Sequence, residues 1–194
     1  LGGMSGPLAG LRVLDLTRVL AGPFATAILA DLGAEVVKLE PPSGDDYRAI
    51  GPFCDGESAL FALTNRGKRS VVVDLKAPEG QALARRMAAG CDVVVENFRP
   101  GVAARLGLSA EALRAENPGL VVCSISGFGQ SGPDTALPAY DIIVQALSGW
   151  MDATGEAGGG PLKVGEALGD VAAGLYAAIG ILAALVGRGS TGEG

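Results

Sequence analysis

The chain has 194 residues, 48% of them hydrophobic and 19% charged, so it can build a sizeable core and is not expected to be disordered. Its net charge of −6 disfavours nucleic acid as a partner, and the lack of histidine removes the commonest general base and most metal-site chemistry. Cys54, Cys91 and Cys123 show no C-x-x-C spacing and are expected to be buried, reduced thiols of a cytoplasmic protein.

Short apolar runs alternate with helical patterns along the chain. The runs 11–16, 35–40, 70–75, 92–96 and 119–125 predict strands. Helices are predicted over 21–32, 78–90, 109–116, 141–151 and 171–186, and the polar stretch 43–68 is predicted to be irregular with one short helix near 58–63. This order predicts an α/β fold, a doubly wound, Rossmann-like parallel sheet with helices on both faces and a ligand crevice at the carboxyl ends of its strands.

The ends of the chain differ from its middle in composition. Residues 1–6 are predicted to be disordered or vector-derived, and residues 7–194 to form a single α/β portion. The run 171–187 carries no charge, but it is short for a membrane span and rich in Ala and Gly. It therefore predicts a helix packed inside a protein, and no membrane partner is expected.

The glycine patterns do not favour a classical dinucleotide site. The turn 17–23 after the first strand lacks G-x-G-x-x-G, and the glycines at 158–160 are predicted to form a flexible turn. Two other loops, 65–70 and 96–101, place cationic or amide groups beside strands. Each could be a solvated loop, or the two together could hold an adenine and a phosphate-bearing tail.

Asp170 opens the uncharged run and has two interpretations. An aspartate at this place can cap a helix, and it can also be a reactive carboxylate whose ionised form the helix N-terminus stabilises. Glu166, four residues earlier, could be a partner carboxylate or part of a surface turn. Local sequence leaves these alternatives open.

The chain resembles the class III CoA-transferases, the family of formyl-CoA transferase and carnitine CoA-transferase. The matching stretches are 7–16, 21–26, 32–40, 65–70, 94–101, 126–130, 140–141 and 169–170, in the same order along residues 7–194. The resemblance implies that Asp170 is a nucleophile, which forms a mixed anhydride with the acyl group and then an aspartyl-CoA thioester. It implies an acyl-CoA donor, a carboxylic acid acceptor, no metal and no cofactor beyond CoA as substrate.

The resemblance also implies a set of CoA contacts. These are Leu20, Ala21, Val73, Lys76, Asn97, Phe98, Arg105 and Tyr140. A basic residue found near position 41 in one family member is replaced here by Pro41, which puts phosphate contacts at that position in doubt. Family members are about twice as long and form interlocked homodimers, so the chain is expected to be an N-terminal half that lacks the small domain and the return into the large one.

Two alternatives to the transferase remain open. The same family contains α-methylacyl-CoA racemases, which have a histidine base where this chain has Tyr140. Because the ordinary pKa of tyrosine is about 10, Tyr140 is a poor base at neutral pH, and the transferase is preferred. The chain could also be a non-catalytic fragment that binds CoA or associates with itself.

Overall fold

Five parallel strands form the central sheet of the computed structural model, which describes residues 6–194. In chain order the strands are β1 (Arg12–Asp15), β2 (Glu35–Glu40), β3 (Phe53–Cys54), β4 (Glu57–Ser58), β5 (Arg69–Val72), β6 (Val93–Glu96) and β7 (Val121–Ser124). The sheet has the order β5-β2-β1-β6-β7, and β3 and β4 form a separate antiparallel hairpin. From β1 the chain adds β2 and β5 on one side, and then β6 and β7 on the other side of β1. The switch point therefore lies between β1 and β6, where doubly wound sheets open a ligand crevice.

Eight α-helices connect and cover the strands within the described residues. They are α1 (Ala21–Asp31), α2 (Ala59–Asn65), α3 (Pro78–Ala89), α4 (Val102–Arg105), α5 (Ala110–Glu116), α6 (Asp141–Leu147), α7 (Trp150–Ala153) and α8 (Leu168–Thr191), with one 3-10 turn at Asp46–Ala49. Pro78 starts α3, where a missing N–H is tolerated, and the Ser109 hydroxyl accepts the amide of Ala112 to cap α5.

Apolar side chains are buried on both faces of the sheet. Val13 and Val95 pack on one face with Leu29 of α1 and Ile181 of α8. Leu14 and Val94 point to the other face, where the cluster includes Ala84, Ala88 and Leu113 of α3 and α5. This alternation follows from the two-residue period of a strand. The predicted doubly wound α/β fold is thus confirmed.

Helices α1 and α8 approach each other closely because Gly174 carries no side chain. A Cβ atom built on Gly174 would lie 2.7 Å from the Ala21 carbonyl oxygen and 2.9 Å from Cδ1 of Phe24. The side of α8 that faces away from α1 leaves Tyr176, Ile179 and Val186 exposed. By length and composition alone α8 is apolar enough to cross a membrane, but it packs against α1, α6 and β7.

Several local predictions were wrong in detail. The stretch 43–68 is not merely irregular, because it holds the 3-10 turn and the hairpin as well as α2. The helix predicted over 141–151 is broken into α6 and α7 at Gly149, which adopts a φ of 81°. Cys54 is exposed, not buried, and Cys91 and Cys123 are half-buried. Of the residues 1–6 predicted to be disordered, 1–5 lie outside the described part of the chain.

Candidate active site

A two-part cleft lies at the carboxyl edge of the sheet. The first cavity, of about 490 Å³, is formed by the segments that follow β1, β6 and β7 together with the start of α8. The second cavity, of about 470 Å³, is formed by the segments after β2 and β5 and by α4. Arg18 and Phe98 line both cavities and therefore mark the place where the two meet.

Asp170 lines the first cavity as the third residue of α8. The helix begins at Leu168 and its cap position is Ala167, so the interpretation of Asp170 as the N-cap is wrong. Burial, and then the nearby charge of Asp141, raise the pKa of the Asp170 carboxyl. The expected stabilisation of the ionised form by the helix N-terminus is thus outweighed, and Asp141, not Glu166, is the neighbouring carboxylate.

Asp141 and Gln145 hold the segment that leads into Asp170. The Asp141 carboxylate accepts the amide of Gly169 at 2.7 Å and the side-chain amide of Gln145 at 2.7 Å. Gln145 is fully buried, donates also to the Glu166 carbonyl, and accepts the Val164 amide at 2.9 Å. A buried amide with all these partners fixes the path of residues 164–169 and thereby the position of Asp170.

Two buried lysines hold the loop between β1 and α1, and the first turn of α1, through backbone carbonyls. Lys68 Nζ lies 2.9 Å from the Asp15 carboxylate and donates to the Pro23 carbonyl. Lys38 Nζ lies 2.8 Å from Asp45 and donates to the Thr17 carbonyl. Burial lowers the pKa of Lys68 to about 8 in spite of Asp15. Burial acts to raise the pKa of Asp15, but the charges of Lys68 and Lys38 outweigh it and lower that pKa.

Polar side chains of Asn97 and Asp45 also bind the backbone of this loop. The side chain of Asn97 accepts the Arg18 amide at 2.9 Å and donates to the Arg18 carbonyl at 2.8 Å. The Val19 amide donates to Asp45 at 3.1 Å, and Val19 has a φ of 70°, which a β-branched residue rarely adopts. A Cβ on Gly22 would meet the side chain of Thr17 at 2.3 Å, so glycine is required there.

The strands end in carboxylates that turn back onto the loops of the cleft. Asp15, Glu40 and Glu96 are all buried and accept the amides of Thr17, Asp45 and Phe98, respectively. Burial acts against the charge of Glu40, but hydrogen bonds from Arg48 and Ser70 lower its pKa to about 2. Burial raises the pKa of Glu96. These side chains position the loops, and Glu40, which also lines the second cavity, has its carboxylate paired with Arg48.

The structure brings most of the expected CoA contacts to the cleft. Ala21 and Tyr140 line the first cavity, Val73 and Lys76 the second, and Phe98 both. Asn97 lines the first cavity, but its amide is occupied by the backbone of Arg18.

Two expected contacts and one candidate loop do not reach the cleft. Leu20 and Arg105 line neither cavity in the described residues. The loop 65–70 contributes no residue to either cavity: Lys68 is buried against Asp15, and Arg66 and Arg69 lie beside Asp31 and Glu35. The loop 96–101, in contrast, contributes Asn97 to Pro100 to the first cavity.

Four residues that shape the site had no role predicted from the sequence. Gln145 and Asp45 gave no local signal, because their partners lie far away along the chain. Arg18 lies in the turn 17–23, which lacks a dinucleotide motif, so no local pattern indicates a role for it. Asp141 belonged to the matching stretch 140–141, although no role was assigned to it.

The fold and the cleft define a doubly wound α/β domain with a half-buried carboxylate at its switch point. The chain belongs to the CoA-transferase family III, whose model matches residues 8–194. The predicted resemblance is thereby confirmed.

Named relatives are similar over nearly the whole chain. A succinate–glutarate CoA-transferase of Agrobacterium fabrum is 52% identical over 97% of the chain, and an acetyl-CoA:oxalate CoA-transferase of Acetobacter aceti is 50% identical over 97%. The crystal structure of a CAIB/BAIF family protein from Brucella suis superposes with a TM-score of 0.94 at 46% identity, covering 98% of this chain and 52% of that one. The chain spans 49% of the length of both curated relatives.

Proposed function

We propose that this chain carries the CoA site and the nucleophile of an acyl-CoA:carboxylate CoA-transferase. The observation that supports the proposal most is the half-buried Asp170 carboxylate in a cavity that meets a second one at Arg18 and Phe98. The elongated CoA molecule fits such a cleft, with its adenosine in the second cavity and its thioester beside Asp170.

The proposed reaction proceeds through two covalent states of Asp170. A carboxylate oxygen of Asp170 attacks the thioester carbonyl, the C–S bond breaks, and CoA thiolate leaves a mixed anhydride. The thiolate then attacks the aspartyl carbonyl of that anhydride, which releases the donor acid and leaves an aspartyl-CoA thioester. The acceptor carboxylate reverses both steps, so that the acceptor leaves as its CoA thioester and Asp170 is restored.

The surroundings of Asp170 suit this chemistry. Because its pKa is raised, the Asp170 carboxylate is more basic and is a better nucleophile once it is ionised. After Asp170 the helix α8 carries no charged side chain before Arg188, which suits a site that must exclude water so that the anhydride is not hydrolysed. Tyr140 stands at 76% exposure where a racemase would need a base, and this favours the transferase over the racemase.

The proposal extends to substrates and assembly. Because relatives are named for succinate, glutarate, oxalate and mesaconate, we propose a short dicarboxylic acid as the acceptor. We propose a cytoplasmic homodimer that needs no cofactor beyond CoA. The exposed apolar side chains Leu147, Tyr176, Ile179 and Val186 on α6 and α8 support an interface on that side of the molecule.

Mass spectrometry of the protein after incubation with succinyl-CoA tests the nucleophile. We expect an acyl or CoA adduct on the peptide that contains Asp170, which is absent in Asp170→Asn and retained in the control Asp152→Asn. An adduct that persists in Asp170→Asn would overturn the proposed role. Incorporation of solvent deuterium at the α-carbon of a 2-methylacyl-CoA, without any acceptor acid, would indicate the racemase instead.

A further inference from the structure

Arg18 occupies the boundary between the two cavities. Among the residues that the structure describes, it is the one cation that lines both, because Lys76 lines the second cavity alone and Arg99 the first alone. Arg18 is therefore the cation that the two parts of the cleft share.

The backbone of Arg18 is fixed on both sides. Asn97 pairs with its N–H and C=O groups, and the next amide, that of Val19, donates to the buried Asp45. The positive φ of Val19 is maintained by these contacts against the preference of a β-branched side chain. The loop thus sets where the Arg18 side chain leaves the backbone.

The guanidinium of Arg18, in contrast, is only weakly engaged. Its ion pair with Asp46 is 3.8 Å long, and the two side chains are 46% and 61% exposed. Exposed ion pairs of this kind contribute little, so a phosphate can replace Asp46 as the partner. Arginine is well suited to that partner because it can donate two parallel hydrogen bonds to phosphate oxygens.

We propose that Arg18 binds the diphosphate of CoA. This inference rests on the proposed function, since the diphosphate joins the adenosine part of CoA to the pantetheine part. If adenosine occupies the second cavity and pantetheine extends through the first to Asp170, the diphosphate passes the boundary where Arg18 lies. Phe98 supplies an apolar surface at the same boundary.

Calorimetric titration with three ligands tests the assignment. The ligands are CoA, dephospho-CoA, which lacks the 3′-phosphate but keeps the diphosphate, and pantetheine, which has no phosphate. We expect Arg18→Gln to weaken the binding of CoA and of dephospho-CoA by the same factor, about tenfold or more, and to leave pantetheine unchanged. Arg18→Lys should recover part of the loss, and the exposed control Arg69→Gln should change none of the three affinities.

Each other outcome overturns the assignment in a recognisable way. Equal binding of CoA by Arg18→Gln and the unaltered chain would remove Arg18 from the site while leaving the proposed function intact. Loss for CoA alone would place Arg18 at the 3′-phosphate, and equal loss for pantetheine would show a distorted loop. Failure of the unaltered chain to bind CoA at all would overturn the proposed function together with this inference.

Discussion

Asp170 is held in surroundings that favour its protonated form, although the proposed reaction uses the ionised one. Burial and the charge of Asp141 both raise its pKa. Because the folded state binds this proton more tightly than the unfolded state, protonated Asp170 stabilises the fold, and this stabilisation is complete below the unfolded pKa. It is lost as the pH rises through the folded pKa, so ionised Asp170 lowers the free energy of unfolding at neutral pH.

Asp170→Asn should therefore raise the free energy of unfolding at pH 7. The gain should shrink as the pH falls and disappear below the unfolded pKa of an aspartate, because both side chains are then neutral. Urea denaturation at a series of pH values measures this difference. Asp152→Asn, the third residue of the exposed helix α7, is the matched control and should show no such pH-dependent gain. A gain for Asp170→Asn that is the same at acid and neutral pH would contradict the interpretation.

Gln145→Leu should destabilise the chain by about 2 kcal/mol or more, because polar groups of Asp141, Val164 and Glu166 lose their hydrogen bonds to a buried amide. The Val164 amide should exchange its hydrogen faster in this variant, and its rate should increase by a larger factor than the rates of the β1 amides. The exposed Gln130→Leu is the control and should change stability by less than about 0.5 kcal/mol. Unchanged protection at Val164 would show that Gln145 does not hold the segment 164–169.

At the scale of elements, the cleft depends on how closely α8 lies against α1. The N-termini of both helices border the first cavity, through Ala21 and Asp170. Gly174 sits between these termini and the packed apolar cluster, with the backbone of α1 in direct contact. A side chain at this position must move one helix away from the other and with it one wall of the cavity.

Two glycine substitutions in α8 separate packing from helix propensity. Gly174→Ala should destabilise the fold by about 1–3 kcal/mol, because its Cβ would overlap the Ala21 carbonyl and Phe24. Gly180→Ala should stabilise it by about 0.5–1 kcal/mol, because nothing lies within 4 Å of the added Cβ and alanine favours a helix. Urea denaturation followed by circular dichroism measures both. Equal effects of the two substitutions would contradict the close contact between α1 and α8.

At the scale of the whole molecule, the order of elements was predictable because buried parallel strands leave apolar runs such as Val93–Glu96. The hairpin of β3 and β4 was not, since two-residue strands are too short to show a period. The break at Gly149 was missed because a single glycine inside a helical pattern does not by itself end a helix.

The candidate site was predictable only in part, because local sequence does not show what a polar side chain will meet. Lys68 looked like a ligand for phosphate in a polar loop, yet it is buried against Asp15, 53 positions earlier. Asn97 was expected to contact CoA, yet its amide is used by the backbone of Arg18, 79 positions away. Asp170 was found through the resemblance, while its neighbour Asp141 required the structure.

The buried pair of Lys68 and Asp15 ties distant parts of the molecule together. It joins the end of β1 to the turn before β5, and through the Pro23 carbonyl to the first turn of α1. Lys68→Met should lower the free energy of unfolding by about 3–5 kcal/mol, since it leaves the buried Asp15 carboxylate without its nearest cation. Lys163→Met, which alters an exposed lysine, should stay within about 0.5 kcal/mol in the same urea titration. A small effect of Lys68→Met would mean that Lys38 alone neutralises Asp15.

Ion pairs in the interior and cations at the open cleft respond differently to ionic strength. Asp15 and Asp45 meet their lysines where counter-ions do not penetrate, so added salt leaves these attractions nearly intact. Arg18 and Lys76 meet any anionic guest at the open surface, where screening is strong. Raising the salt concentration should therefore release a polyanion from the cleft long before it loosens the fold.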